Sequence, residues 1–343
     1  MAKTIRWGIV GCGDVTERKS GPGFQKSRNS ALVAVMRRDA AKAADYAKRH
    51  GVASWYSDAD KLISDPQVDA VYVATPPGQH ELYAMKALAV GKPCYVEKPF
   101  TRNAPEAERI VAAFAQKKVP LFVAYYRRGL PRFLKAREIV QSGQIGTLAA
   151  LNYRYADGQS LSARKDNLPW RLVAEQSGAG IFLDLASHAL DIIDFMVGPL
   201  SNATGHAANI AGTHAVEDVV ALKFSMQSGG IGAASWCFAS AVKEDIIEIT
   251  GTHGRIVLSV FGNEPVQLHT RDGVQTFDLP NPDPIQGPLI QTIVNDLNGE
   301  GKCESTGVTA LRTQQIMDAA LVSYYGGRED GFWRRPWPGA PKL

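Results

Sequence analysis

At 343 residues the chain is too long for one comfortable hydrophobic core, so two domains are expected. Its 45% hydrophobic and 21% charged residues are ordinary for a soluble globular protein, and no window is apolar enough to span a bilayer, which argues against a membrane protein. The net charge of +4 is dispersed, with Arg37–Arg38, Arg127–Arg128 and Arg334–Arg335 as pairs rather than a run, which argues against a nucleic-acid partner.

The start, MAKTIRWGIVGCG, passes within a few residues into a strand-like run with no apolar signal segment ahead of it, so a cytoplasmic protein is expected. IRWGIV (5–10) leads to a glycine turn, ALVAVM (31–36) follows, and the alanine-rich DAAKAADYAKRH (39–50) is helical in pattern. A short segment at 52–56 precedes DAVYVAT (69–75), the helix-like HELYAMKALAVG (80–91), PCYVEK (93–98), PEAERIVAAFAQKK (105–118) and LFVAYY (121–126). These strands are near-continuous apolar runs alternating with helices, the pattern of a parallel sheet covered on both faces. The expected fold over 1–125 is a doubly wound, dinucleotide-binding Rossmann domain.

Beyond a helix near 130–142 the pattern changes. TLAALNYRYADG (147–158) alternates like a half-exposed strand, and a polar stretch to Trp170 leads into a glycine-flanked helix, AGIFLDLASHALDIIDFMVG (179–198). Strand-like runs with glycine turns occupy about 203–278: VEDVVALKFSM, GIGAASWCFAS, DIIEITG, GRIVLSVFG and VQLHT. Helical patterns at 286–298 and 307–324 precede a Trp/Pro/Arg-rich tail, GFWRRPWPG. The expectation for 126–343 is an α+β domain with a large, mostly antiparallel open sheet, serving substrate binding and oligomerisation. The four scattered cysteines, Cys12, Cys94, Cys237 and Cys303, form no CxxC pair and match no zinc spacing, so reduced thiols and no metal are expected.

The first strand ends in Gly11-Cys12-Gly13-Asp14-Val15-Thr16, most of a GxGxxG fingerprint, whose glycines let backbone N–H groups approach a pyrophosphate. Thr16 replaces the third glycine, and Ser20-Gly21-Pro22-Gly23 is expected to break any helix that starts at Asp14. The second strand ends in Arg37-Arg38, where an NAD site usually places an acid for the ribose 2′-hydroxyl. Arginine there suits a 2′-phosphate, and Arg38 is placed to stack on adenine, so NADP(H) is expected over NAD. Thr75, Pro76, Pro77 and His80 after the fourth strand, and Glu97 and Lys98 after the fifth, stand at carboxyl ends of parallel strands, where such sheets bind ligands.

Four pieces in order, GIVGCG, TPPGQH, VEKP and GAGIFLDLASHALD, resemble motifs of the Gfo/Idh/MocA oxidoreductases, named for glucose–fructose oxidoreductase and inositol dehydrogenase. The resemblance spans nearly the whole chain. It implies a nicotinamide-binding Rossmann domain, a second domain whose open sheet commonly mediates oligomerisation, a catalytic group of Lys98, Asp184 and His188, and a cis Lys98–Pro99 bond. Independently, Asp184 and His188 lie four apart on a helical stretch and so share a face, and Gly178 and Gly180 would let that helix start close to other backbone. In the implied chemistry His188 exchanges the proton of a secondary alcohol, Lys98 hydrogen-bonds the reacting oxygen and Asp184 orients the site. Tyr126 stands where many relatives carry an asparagine, which weakens any transfer of substrate identity. Candidate substrate contacts are Tyr126, Arg127, Tyr155, Trp170 and Arg171, with Asp157 and Asn167 from the same polar connection, since a Trp beside an Arg suits a sugar ring. The expected activity is hydride transfer on a sugar, polyol or related compound, by a homodimer or homotetramer. The alternatives are an inositol- or cyclic-diol-type dehydrogenase and, in another class, a non-catalytic nucleotide- and sugar-binding regulator.

Overall fold

The computed structural model describes residues 2–337, so the end of the tail expected at 331–339 lies outside the described residues. Among the described residues the first sheet has six parallel strands: β1 (Ile5–Val10), β2 (Ser30–Met36), β3 (Ser54–Tyr56), β4 (Ala70–Val73), β5 (Cys94–Val96) and β6 (Leu121–Val123). Their order is β3-β2-β1-β4-β5-β6, the order of a dinucleotide-binding fold, and it reverses between β1 and β4. Connections run through α1 (Gly21–Lys26), α2 (Ala40–His50), α3 (Ala59–Ser64), α4 (His80–Ala89) and α5 (Ala104–Lys117). The apolar runs follow from burial on both faces: every residue of β4, β5 and β6 is buried.

The expected break at Ser20–Gly23 does not occur, and helical turns run on from 14 to 26. A π-type turn over Thr16–Ser20 widens the helix, so the Gly21 N–H reaches back to the Thr16 carbonyl and Pro22 falls in the first turn of α1, where no N–H is missed. A Cβ on Gly21 would collide with that carbonyl and with the Tyr46 hydroxyl, so here glycine permits the helix rather than ending it.

The second sheet is built from β7 (Leu148–Ala156), β8 (Leu200–Ala208), β9 (Val219–Met226), β10 (Ile231–Cys237), β11 (Glu244–Gly251), β12 (Gly254–Leu258), β13 (Val266–Thr270) and β14 (Gly273–Phe277). The order is β14-β13-β12-β11-β7-β10-β9-β8, with β7 and β10 parallel and every other neighbouring pair antiparallel. Helices α6 (Pro131–Gln141), α7 (Ala174–Ser177) and α8 (Ile181–Val197) fall between β6 and β8, and α9 (Gly287–Leu297) and α10 (Gly307–Tyr325) follow β14. Along β9 Val220, Leu222, Phe224 and Met226 are buried while Ala221 and Lys223 are exposed, the alternation of a sheet with one covered face. Phe182 of α8 meets Trp236 of β10 edge-on at 4.9 Å, and Tyr153 of β7 meets the same indole at 5.4 Å.

The chain divides into two compact units: one runs through Thr101 and adds Glu106–Leu130 and Pro282–Leu311, and the other holds Arg102–Pro105, Pro131–Asn281 and the chain from Arg312 on. The change of pattern placed a boundary at 125/126, whereas residues 126–130 and the returning segment with α9 belong to the first unit. Gln286, just before α9, docks there by donating its backbone N–H to Lys19 (3.3 Å) and accepting from the Tyr95 hydroxyl (3.0 Å). No helix among the described residues is long and apolar enough to cross a membrane.

Candidate active site

In the first unit the loop after β1 is anchored by its own backbone, for the N–H groups of Gly11 and Cys12 both donate to the Met36 carbonyl, at 2.9 and 3.0 Å. Gly11 has φ +94°, and a Cβ there would press on Thr75 and the Ala74 carbonyl. Gly13 faces open space, with only the Gly11 carbonyl near a hypothetical Cβ, at 3.9 Å. Asp14 and Val15 open the helical turns, whose first N–H groups have no intrahelical acceptor. Thr75 leaves its buried hydroxyl without a hydrogen-bond partner at the carboxyl end of β4. An open glycine cradle, a helix start and an unsatisfied hydroxyl at the point where strand order reverses fit a dinucleotide.

At the end of β2 the Arg37 guanidinium reaches the Cys12 carbonyl (3.4 Å), which places it against the same loop, while Arg38 is exposed. Asp39, the nearest acid, caps α2 by accepting the Lys42 N–H at 3.1 Å. Cys12 is buried, and burial pushes its thiol up to about 11, so it is inert. Pro76 is exposed and Pro77 buried as the short turn before α4 begins. His80 is fully buried with Nε2 at 2.7 Å from the Thr75 carbonyl and Nδ1 at 3.0 Å from the Phe100 carbonyl. With one nitrogen facing the Thr75 carbonyl and the other the Phe100 carbonyl, His80 ties the β4 loop to the chain after Pro99, and burial lowers its basicity.

Glu97 and Lys98 extend β5, and the Lys98–Pro99 bond is cis, as the resemblance implies. The buried Glu97 carboxylate is a junction: Oε1 accepts from the Tyr72 hydroxyl (2.5 Å) and from Nε2 of Gln286 (2.9 Å), and Oε2 accepts the Lys98 N–H (2.9 Å). Beneath it Tyr72 and Tyr95 stack at 4.8 Å and Phe24 packs on Tyr72 at 5.2 Å, and burial holds both phenols well above their ordinary range. Glu97 thereby fixes the backbone that carries Lys98, whose side chain is partly buried. Tyr126 and Arg127 lie in the short helical turn Tyr126–Gly129, with the guanidinium 5.0 Å from the phenol ring. Arg128 is a brace that donates to the Glu304 carbonyl at 3.0 Å.

In the second unit Asp184 and His188 sit one turn apart near the start of α8, both buried. Nε of Arg171 donates to Oδ2 of Asp184 at 2.5 Å, and the same guanidinium lies 4.6 Å from the Trp170 ring. Arg171 is therefore already bound to the Asp184 carboxylate, with Trp170 against its guanidinium. His188 meets the ring of Phe261 edge-on at 6.0 Å, and Tyr155 meets the same ring at 5.4 Å. The Tyr155 hydroxyl donates to Asp157 at 2.7 Å, and Tyr155, Asp157 and Phe261 line a cavity of about 850 Å³. Asn167 is exposed. Two residues here escaped sequence reasoning: Phe261, and Asp245, which accepts the N–H groups of Val260, Phe261 and Gly262 at 3.1, 2.6 and 3.2 Å. The only sequence sign was an acid opening a strand-like run, and its targets lie at least fifteen residues on.

Gly178 and Gly180 do what their place suggested. Gly178 has φ +93°, and a Cβ there would strike the Arg102 backbone; one on Gly180 would strike the Glu217 carbonyl.

The family described as an oxidoreductase family with an NAD-binding Rossmann fold matches residues 5–125, and the GFO/IDH/MocA C-terminal domain matches residues 133–257. Oxidoreductase P35 of Formosa agariphila is 38% identical over 322 residues, covering 93% of this chain and 98% of that protein. A 1,5-anhydro-D-fructose reductase of Ensifer adhaerens is 27% identical over 309 residues, covering 88% of this chain and 91% of that protein. The crystal structure of an NAD binding oxidoreductase from Klebsiella pneumoniae shares the fold, with a TM-score of 0.84 at 22% identity over 94% of this chain and 97% of that one. With both domains matched over more than half its length, the chain belongs to the Gfo/Idh/MocA family and is an NAD(P)-dependent dehydrogenase or reductase.

Proposed function

We propose that the chain moves a hydride between NADP(H) and a secondary alcohol or carbonyl of a sugar, polyol or related compound. What carries this is, in the first unit, a lysine whose backbone Glu97 holds at the end of β5 and, in the second, a buried aspartate and histidine one turn apart on α8, the three residues that the family motifs mark. The relative named for reduction of 1,5-anhydro-D-fructose supports the sugar class. With the Gly11 and Cys12 N–H groups held by Met36 and shaping the turn, Gly13, Asp14 and Val15 would hold the pyrophosphate, Arg37 the 2′-phosphate and Arg38 the adenine, because Asp39 is spent on capping α2. When bound, the nicotinamide supplies the hydride acceptor or donor. Lys98 hydrogen-bonds the reacting oxygen and stabilises its alkoxide character, His188 takes or returns the proton, and Asp184, held by Arg171, fixes the hydroxyl beside it. We further propose that the chain works as a homodimer or homotetramer through the outer face of its eight-stranded sheet.

The test is a screen of sugars and polyols with NADP⁺ and NAD⁺ in parallel, following absorbance of the reduced nicotinamide. Turnover with at least one polyhydroxy substrate, and a lower KM for NADP⁺ by about tenfold or more, is expected from the charge at Arg37 and Arg38. A clear NAD⁺ preference would remove the 2′-phosphate reading, and silence across the panel would remove the substrate class.

A further inference from the structure

An acid buried where α8 begins has no part in the chemistry proposed above. Glu217, just ahead of β9, is inaccessible to solvent, and both of its carboxylate oxygens lie 2.9 Å from the N–H of Gly180. The hydroxyl of Tyr325, the last residue of α10, donates a short hydrogen bond to Oε2. Three residues further on, the buried Arg328 side chain pairs with Asp318 at 2.9 Å and donates to the carbonyls of Gly178 (3.0 Å) and Arg102. That guanidinium also lies 4.2 Å from the Phe332 ring, and Asp318 accepts from the Ala104 N–H at 2.7 Å. The turn Gly178–Gly180 is thus held at its carbonyl by Arg328 and at its amide by Glu217.

A helix start needs no buried acid: a serine or asparagine side chain caps an N–H at far less desolvation cost. Here burial pushes the Glu217 carboxyl up to about 7, against the pull of its donors. What the acid adds is a pair of oxygens that fixes the direction of one N–H at the start of α8. Gly180 is the N-cap of α8, and Asp184 and His188 stand one and two turns beyond it. A small rotation of the first turn therefore displaces both side chains together.

We propose that Glu217 is a positioning residue: with Tyr325 it sets the start and rotation of α8, and so the placement of Asp184 and His188. The inference rests on the reading of those two residues as the proton-handling pair.

The experiment uses the full chain with Glu217→Gln, which keeps shape and one acceptor oxygen, and Tyr325→Phe, which keeps the carboxylate and loses its donor. Three quantities are read: NADP⁺ binding by fluorescence, kcat and KM on the best substrate of the screen, and the His188 ring resonance in histidine-labelled protein. The last is assigned by its loss in His188→Asn. We expect cofactor binding unchanged within about twofold, a shifted His188 resonance in both variants, and kcat lowered by on the order of 10- to 100-fold with a smaller change in KM. An unmoved His188 resonance with wild-type kcat in folded variants overturns the proposal. Should Glu217→Gln fail to fold, Tyr325→Phe decides by the same measurements. If the wild type turns over nothing in the screen, the reading of function fails, while the His188 resonance still decides whether Glu217 positions the helix.

Discussion

The backbone of Lys98 is held in place by Glu97. The Glu97 carboxylate holds the Lys98 N–H at 2.9 Å and is itself held by Tyr72 and Gln286. Replacing Lys98 with alanine removes the ammonium and leaves that backbone anchor intact. Lys98→Ala is therefore expected to bind NADP⁺ within about threefold of wild type while kcat falls on the order of 10²- to 10⁴-fold. Titration calorimetry for binding and single-turnover rates for chemistry check the two halves, and near-normal turnover removes Lys98 from the mechanism. The sequence showed the charge pair at 97–98 but not its cause. Lysine and proline after an apolar strand were readable as a loop carrying chemistry, whereas the glutamate's partner Gln286 is 189 residues away and nothing local marks it. His80 is similar: its position after β4 is legible, whereas its contact with the Phe100 carbonyl twenty residues on is not.

The helix that presents Asp184 and His188 depends on how closely its first turn approaches other backbone. Gly178 has φ +93° and ψ −20°, and a Cβ there would lie 2.6–2.7 Å from Arg102 atoms. Gly51, which ends α2 at φ +63°, has nothing within 4 Å of the same hypothetical Cβ. Gly51→Ala should cost only the left-handed penalty of ~1 kcal/mol, whereas Gly178→Ala adds a backbone collision and should cost ~3 kcal/mol or prevent folding. Chemical denaturation of the two variants compares them directly, and equal losses would sink the close-approach account. Most elements were readable because burial imposes a period on them: continuous apolar runs in β4, β5 and β6, strict alternation in β9. Where burial imposes none, the pattern is silent. The edge strand β14 is exposed along nearly its whole length and carries no alternation, and edge strand β8 reads LSNATGHAA, mostly polar and small. The glycines at 21 and 23 misled because the turn rule for glycine ignores a π-type turn that needs one.

The proposed assembly sets copies of the chain together through the outer face of the eight-stranded sheet. Arg154 of β7 pairs with Glu244 (3.0 Å) and approaches Glu248 (3.7 Å), which Arg255 of β12 also reaches (3.3 Å), so this ladder of charge is closed within one chain. Exposed pairs of this kind stabilise little and need no partner. Beside the ladder the face carries Ala221, Ala233 and the exposed Lys223, and Ile231 stands 70% exposed at the start of β10. Small residues let two sheets approach to about 10 Å, and an exposed isoleucine offers such a contact an apolar anchor. Sedimentation velocity is expected to show a dimer or tetramer at tens of micromolar. Ile231→Glu should shift it toward monomer without lowering the folding stability of the single chain, since the side chain it replaces meets solvent there. Because the ionic ladder is satisfied internally, raising salt to about 1 M, where the Debye length is about 3 Å, should leave the assembly in place. A wild type that sediments as a monomer across that range, or an Ile231→Glu variant that assembles as well as wild type, would place the contact elsewhere or abolish it. An assembly that dissolves in salt while tolerating Ile231→Glu would instead assign the contact to the charged ladder.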